Sequence, residues 1–167
     1  LVGGSIEDAT GNHADPIYGF NQAVVRVKAA VAAARALPFR FTLTARAENF
    51  LYGRTDLDDT IRRLQAFEAA GADVLYAPAL PDIEAIRRVC SSLSRPVNVV
   101  MGLKGRAFTV DELAKAGVKR ISVGSSLSRA ALGAFVRAAT EIKDRGTFTF
   151  ANDALPFADA NKFMAGR

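Results

Sequence analysis

The chain has 167 residues, of which 50% are hydrophobic and 23% charged, and its formal net charge is +5. This composition is typical of a soluble globular protein and excludes an intrinsically disordered chain. No stretch approaches the roughly 20 apolar residues of a membrane span, and the N-terminus lacks the regions of a signal peptide, so we expect no membrane partner.

The cysteine content and the positions of the lysine and arginine residues limit the expected location and binding partners further. Cys90 is the only cysteine, so an internal disulfide is impossible and a reducing cytoplasm is the expected location. Lysine and arginine are scattered along predicted helices and do not form a run interleaved with aromatic residues, so we expect no nucleic-acid partner. The excess positive charge is compatible with small anionic ligands.

Five short apolar runs, most of them rich in β-branched or aromatic residues, predict five strands. Because they do not alternate cleanly between apolar and polar residues, they indicate parallel strands covered on both faces. The runs are LVGGSI (1–6), FTLTA (41–45), DVLYA (73–77), PVNVVM (96–101) and RISVG (120–124).

Apolar residues at helical spacing predict one helix after each strand. Proline, aspartate and threonine at the expected starts suit the first turn or the N-cap, and a glutamate three residues after Thr109 predicts a capping box. The expected starts are Asp15–Pro16, Thr55 or Asp56, Pro81, Thr109, and about Ser126 for a last helix that ends at Gly146.

The strand starts near positions 2, 41, 73, 96 and 120 lie 39, 32, 23 and 24 residues apart, which leaves room for crossover helices between parallel strands. A (β/α)₈ barrel of about 250 residues uses about 31 residues per unit, so five units need about 156. We therefore predict an α/β fold with five βα units of a partial TIM-type barrel over residues 1–150. A tail over residues 151–167 is expected to pack on the barrel or on a neighbouring subunit.

An open doubly wound sheet is the alternative architecture. It is disfavoured because EDATGNH, after the first strand, is not a G-x-G-x-x-G turn, and GLKGRAFT (102–109) is not a P-loop. The chain starts inside a strand, so we expect it to be the C-terminal five-eighths of a larger barrel.

Charged residues follow the first two strands, at the edge where both architectures place their chemistry. Glu7 and Asp8 offer the hard oxygen ligands that suit Mg²⁺, although a solvated loop explains them equally well. The guanidinium of Arg46 matches a carboxylate or a phosphate in shape, and an internal salt bridge to Glu48 or Glu7 is the alternative.

Other polar candidates lie near the tips of the later strands and in the first loop. Ser125 and Ser126 could receive an anion at a helix N-terminus, but simple capping explains them better. His13, the only histidine, is expected to be exposed, with a proton shuttle as the alternative. The remaining candidates are Asn49, Tyr76, Pro78, Asn98, Lys104 and Ser122.

Taken together, SIED, the segment from 41 to 78 and RPVNVV resemble the isocitrate lyase/phosphoenolpyruvate mutase superfamily. The resemblance implies a Mg²⁺-dependent (β/α)₈ barrel that cleaves or forms C–C or P–C bonds in 2-oxo and 2-hydroxy acids through an enolate-type intermediate. It also implies a homo-oligomer and a small carboxylate or phosphonate substrate.

The resemblance also assigns roles to three residues. It implies that Glu7 holds the magnesium through water and that Arg46 grips the substrate carboxylate or phosphonate. Glu48 matches an acidic residue just beyond Arg46 and is expected to take part in catalysis. Asn98, at the tip of the fourth strand, is expected to bind the substrate. A metal together with an arginine would stabilise the developing oxyanion in place.

The sequence departs from this superfamily at three places. Its aspartate-rich metal motif has no counterpart here, the loop ATGNHADPIYGF replaces a lysine-cysteine-glycine-histidine loop, and Pro78 stands where some relatives carry histidine or glutamate. Cleavage of the isocitrate type is therefore not expected. Two alternatives stay open: a catalytically inactive fragment that acts as an assembly module, and a phosphate-binding barrel of another family that uses the loop before Ser125.

Overall fold

The computed structural model describes residues 1–102, 105 and 107–165. Five parallel strands form one sheet in the order β1-β2-β3-β4-β5. Because this order has no reversal, the sheet lacks the switch point of a doubly wound fold, and the predicted five βα units of a TIM-type barrel are confirmed. The strands are β1 (Gly3–Glu7), β2 (Thr42–Arg46), β3 (Val74–Tyr76), β4 (Val97–Val100) and β5 (Arg120–Ser122).

A helix follows each strand as predicted, and two of the caps are those that the sequence indicates. Asp56 accepts a hydrogen bond from the N–H of Asp59, and Thr109 and Glu112 form the predicted capping box. The helices are α1 (Phe20–Arg35), α2 (Leu57–Ala69), α3 (Ile83–Ser91), α4 (Val110–Lys115), α5 (Ser126–Arg145) and α6 (Phe157–Met164), with 3₁₀ segments at Phe50–Tyr52 and Thr149–Asp153.

The first helix begins later than the predicted start at Asp15–Pro16. Ala9 and Ile17 form an antiparallel bridge, and the N–H of Thr10 donates to the carbonyl of Pro16. These contacts close a loop over residues 9–17, so Pro16 serves this loop and does not open the helix.

Two glycines end helices and lead into strands, as the repeated helix-glycine-strand pattern predicts. Gly71 and Gly117 have φ angles of 102° and 96°, where other residues are strained. A Cβ atom at Gly71 would lie 3.0 Å from Val31, and one at Gly117 would lie 3.0 Å from Cys90. Both positions therefore combine a backbone requirement with close packing.

The chain divides into two compact units, residues 1–124 and residues 125–167. The first unit contains the sheet and a core in which Leu64, Phe67 and Leu75 are fully buried. In the second unit no described residue is buried. The predicted tail over residues 151–167, and its docking, stay predictions. Within the described part of the chain, no helix is both long and apolar enough to cross a membrane.

Candidate functional site

One row of side chains crosses all five strands of the sheet. Glu7 pairs with Arg46, Arg46 with Tyr76, Tyr76 with Asn98, and Asn98 with Arg120. Residues paired in this way lie on the same face of a parallel sheet, because side chains alternate with a period of two. Four of the five, from Arg46 to Arg120, line one cavity of about 530 Å³ on that face.

The guanidinium of Arg46 is the centre of this row at the carboxyl ends of β1 and β2. Its Nε donates to Oε1 of Glu48 at 2.8 Å, and its Nη1 lies 3.2 Å from Oε2 of Glu7. The ring of Tyr76 lies 5.1 Å from the guanidinium carbon, within cation–π distance. Both internal ion pairs that the sequence suggested for Arg46 are therefore present, and Glu7 and Arg46 converge.

Burial and charge have opposite effects on the pKa values of Glu48 and Arg46. Burial raises the pKa of Glu48, whose side chain is 1% exposed, although the hydrogen bond from Arg46 opposes the rise. Burial alone would lower the pKa of Arg46, but Glu48 and Glu7 outweigh it, and that pKa is raised. Arg46 therefore stays cationic and is held in a fixed orientation.

Asp8 lies behind this site and is not available to a ligand. One of its carboxylate oxygens accepts the N–H of Glu48 at 2.8 Å, and the other accepts Nη1 of Arg63 at 3.1 Å. Arg63 also donates to the carbonyl of Tyr18, and both charged side chains are buried. Asp8 thus ties the ends of β1 and β2 together, and burial raises its pKa.

The sequence interpretation missed Arg63, although a signal was present. Arg63 lies four residues before Phe67 in α2, so the two side chains share one helix face. Since Phe67 is predicted to be buried, an arginine on the same face requires a buried carboxylate partner. Asp8 meets that requirement from 55 residues away.

The described residues offer one carboxylate that fits a magnesium ion. Glu7 is 43% exposed and only one of its oxygens is paired, whereas both Asp8 and Glu48 are buried and engaged. No group of three or more potential metal ligands exists among the described residues. Because Mg²⁺ keeps several waters and often takes one or two carboxylates, the exposed carboxylate of Glu7 is of the kind that could hold the ion through water.

Asn98 and Arg120 form the end of the row on β4 and β5, where Asn98 is buried and Arg120 is exposed. Nδ2 of Asn98 donates to Oγ of Ser122 at 3.0 Å, and Oδ1 of Asn98 is buried with no partner in the described part of the chain. Nη1 of Arg120 lies 3.3 Å from Oγ1 of Thr44. The sequence predicted Asn98 as a site residue but gave Arg120 no role, and Lys104 lies outside the described residues.

The other predicted candidates lie away from this row. His13 is exposed in the loop over residues 9–17, and Ser125 precedes α5 without a capping hydrogen bond from its side chain. Cys90 is half-buried and burial raises its pKa, which makes it a poor nucleophile. Pro78 lines a second cavity of about 340 Å³, which Tyr76 also lines, together with apolar residues such as Met101 and Phe108.

The chain belongs to the phosphoenolpyruvate phosphomutase family, whose profile matches residues 1–143. This match confirms the resemblance that the sequence motifs indicated. The alternative of a phosphate-binding barrel from another family is therefore wrong.

Three known proteins place the chain within this group. It is 29% identical over 111 residues to 2-methylisocitrate lyase of Aeropyrum pernix, covering 62% of this chain and 36% of that protein. It is 61% identical to a protein of Burkholderia cenocepacia J2315 described as a lyase/mutase, with a TM-score of 0.91, covering 99% of this chain and 59% of that one. A 2,3-dimethylmalate lyase of the PEP mutase/isocitrate lyase superfamily shares the fold at 21% identity and a TM-score of 0.78, covering 98% and 60%.

The chain therefore spans between about a third and three fifths of the length of these relatives. Because the chain covers only part of these relatives, its five-stranded sheet corresponds to part of a TIM-type barrel. The homologues are lyases and mutases, so the chain has the fold of a lyase/mutase-like enzyme.

Proposed function

We propose that the chain supplies active-site residues to a Mg²⁺-dependent lyase or mutase that acts on C–C or P–C bonds of small 2-oxo or 2-hydroxy acids. The observation that carries the proposal is the convergence of Glu7 and Arg46 at the carboxyl ends of β1 and β2. Parallel barrels place their chemistry at this edge of the sheet. The family match supports the same class of reaction.

Arg46 is the residue that we assign to the acidic group of the substrate. Its Nε and Nη1 are engaged by Glu48 and Glu7, while Nη2 has no protein partner among the described residues. Arg46 can therefore keep its internal pairs and still donate to a carboxylate or phosphonate. Because Glu48 fixes the guanidinium before the substrate arrives, little reorganisation is needed when charge develops.

Glu7 is the residue that we assign to the magnesium ion, through water. When bound, the ion would supply positive charge that stabilises an enolate-type oxyanion. The half-exposed carboxylate of Glu7 can accept hydrogen bonds from metal-bound water while it also faces Arg46. Asn98 would hydrogen-bond the substrate through Oδ1, which is buried and has no partner within residues 1–102, 105 and 107–165.

Oxalate, a mimic of the enolate of pyruvate, tests this proposal. We expect calorimetric titration of the full-length gene product to detect oxalate binding that requires Mg²⁺. Arg46→Gln should weaken that binding roughly tenfold or more, because a charge-assisted hydrogen bond is removed. Arg62→Gln, which removes an exposed arginine of α2, is the matched control and should bind oxalate normally. Metal-independent binding, or equal binding by the Arg46 variant, would refute the proposal.

A role in assembly is the second candidate function, and a different observation supports it. Helices α5 and α6 and the segment between them expose many large apolar side chains, a pattern typical of protein–protein contact. We propose a homo-oligomer that uses this surface. These residues are Leu127, Leu132, Phe135, Val136, Ile142, Phe148, Leu155, Phe157, Phe163 and Met164.

Sedimentation velocity tests the assembly proposal. We expect the protein to sediment as an oligomer, and Leu132→Ser with Phe135→Ser to shift it towards the monomer. Val110→Ser, at an exposed apolar residue outside these helices, should leave the oligomer intact. A wild-type protein that stays monomeric would rule out the assembly role.

A further inference from the structure

We infer that Arg120, together with Asn98 and Ser122, forms a second binding site for an acidic group, which selects diacids over monoacids. The inference rests on the proposed function insofar as the ligand is the substrate of the Arg46 site. It adds a residue, Arg120, to which neither the sequence nor the family match gives a role. Its ligand is the second carboxylate or phosphonate of a small dianion.

The first argument is placement. Arg120 shares the cross-strand row with Asn98, Tyr76 and Arg46, and lines the same cavity as these three residues. Its guanidinium reaches from β5 across the face of the sheet to Oγ1 of Thr44 on β2. Thr44 precedes Arg46 by two residues, or about 7 Å along a strand, and both arginines line the same cavity, so we place one small ligand between them.

The second argument is charge. Arg46 lies beside two carboxylates, those of Glu7 and Glu48. Arg120 pairs with no carboxylate in the described part of the chain, and its one hydrogen-bond partner there is the neutral hydroxyl of Thr44. An uncompensated guanidinium that lines a cavity attracts an anion and matches a carboxylate or phosphonate in shape.

The third argument is the set of neighbouring polar atoms. Asn98 is 2% exposed, lines the cavity and presents a buried Oδ1 without a partner among the described residues. Its Nδ2 donates to Oγ of Ser122, which leaves the Ser122 hydroxyl hydrogen available to a ligand oxygen. Arg120 and Ser122 can thus donate to an acidic group, while Asn98 can accept from a hydroxyl of the same ligand.

The fourth argument concerns which ligands this arrangement of polar groups would favour. A ligand held by its first acidic group at Arg46 extends over the sheet face towards Arg120. If it carries a second acidic group, that group meets the uncompensated charge of Arg120. If it carries a methyl group instead, the charge stays unpaired and the polar atoms lose water without a new partner. Diacids are therefore favoured.

Malate and lactate test the inference, because they differ only in the second carboxylate. We expect calorimetric titration in the presence of Mg²⁺ to give tighter binding of malate than of lactate to the wild-type protein. Arg120→Gln should weaken malate binding about tenfold. It should leave lactate binding unchanged, because lactate has no second carboxylate, and oxalate binding unchanged, because the two carboxylates of oxalate are directly bonded and both stay at the Arg46 end of the cavity. Arg95→Gln, at an exposed arginine that does not line the cavity, is the matched control and should change none of the three.

The outcomes separate this inference from the proposed function. Oxalate binding that requires Mg²⁺, combined with equal malate binding by wild type and Arg120→Gln, overturns the inference and leaves the proposed function standing. Equal weakening of oxalate and malate also overturns it, because Arg120 would then belong to the Arg46 site or to the fold. A wild-type protein without oxalate binding contradicts the proposed function, whereas one that binds malate no better than lactate contradicts the second site.

Arg120→Lys keeps the charge, should retain a preference for malate, and gives the answer if the glutamine variant does not fold.

Discussion

The sheet unit and the C-terminal unit differ in how their side chains are buried. In residues 1–124, apolar side chains such as Phe67 are fully buried, and even charged groups such as Asp8 and Glu48 are enclosed with their partners. In residues 125–165, no described side chain is buried, and even the large apolar rings of Phe135 and Phe163 are 70% and 78% exposed. The sheet unit stabilises its own site, whereas the C-terminal unit presents apolar surface to other contacts.

Truncating one phenylalanine in each unit should give the largest effect and tests directly whether the two units differ in burial. Phe67→Ala removes a fully buried ring and should lower the free energy of unfolding by about 4 kcal/mol. Phe135→Ala, the matched variant in α5, should change it by at most about 0.5 kcal/mol at low protein concentration, because its ring is exposed. Urea unfolding measures both, and equal losses would contradict the difference between the units.

The buried pair of Asp8 and Arg63 gives the next largest effect. Asp8→Ala leaves Nη1 of the buried Arg63 guanidinium without a carboxylate, since only Asp59 at Nε remains, and it also removes the acceptor of the Glu48 N–H. It should cost about 3 kcal/mol of unfolding free energy. The ion pair between Arg88 and Asp58 is exposed, so Arg88→Gln should cost at most about 1 kcal/mol. If chemical denaturation finds the two losses similar, Asp8 does not hold the strand ends together.

Asp73 gives a smaller effect that depends on pH. Burial alone would raise its pKa, but the N–H of Leu43 and the guanidinium of Arg35 outweigh burial, and the pKa of Asp73 is lowered. A lowered carboxyl pKa contributes stability that is present above the unfolded value of 3.8 and is lost as the pH falls through the folded value. Asp73→Asn should therefore cost about 1–2 kcal/mol at pH 7 and progressively less below pH 3.8.

Thermal unfolding of wild type and Asp73→Asn across this pH range provides the measurement. Asp153→Asn, at an exposed residue of the C-terminal unit, is the control and should follow the wild type at every pH. A constant difference between wild type and Asp73→Asn from pH 7 to pH 2 would show that the charge of Asp73 contributes nothing.

Much of the fold could be predicted because its signals are local. The cap at Asp56, the capping box at Thr109 and the glycines at 71 and 117 each depend on residues a few positions apart. The convergence of Glu7 and Arg46 could be predicted as well, since parallel strands bring their carboxyl ends to one edge.

The rest depends on contacts between distant segments. The partners Asp8 and Arg63 are 55 residues apart, and nothing near either residue in the sequence specifies the other. In the sequence, Arg120 is simply a charged residue at the start of an apolar strand. Its place in the cross-strand row follows only from the strand register, which pairs it with Asn98. The late start of α1 depends on the bridge between Ala9 and Ile17, which no local pattern indicates.

The central claim is that Glu7 and Arg46 act as one site, and a double-mutant cycle tests it most directly. Mg²⁺-dependent oxalate binding would be measured for the wild type, Glu7→Gln, Arg46→Gln and the double variant. Each single change should weaken binding about tenfold. Because the two side chains contact each other, the double variant should bind oxalate at least about tenfold more tightly than the two losses multiplied together predict. Losses that simply multiply would show that the two side chains act independently and would contradict the account.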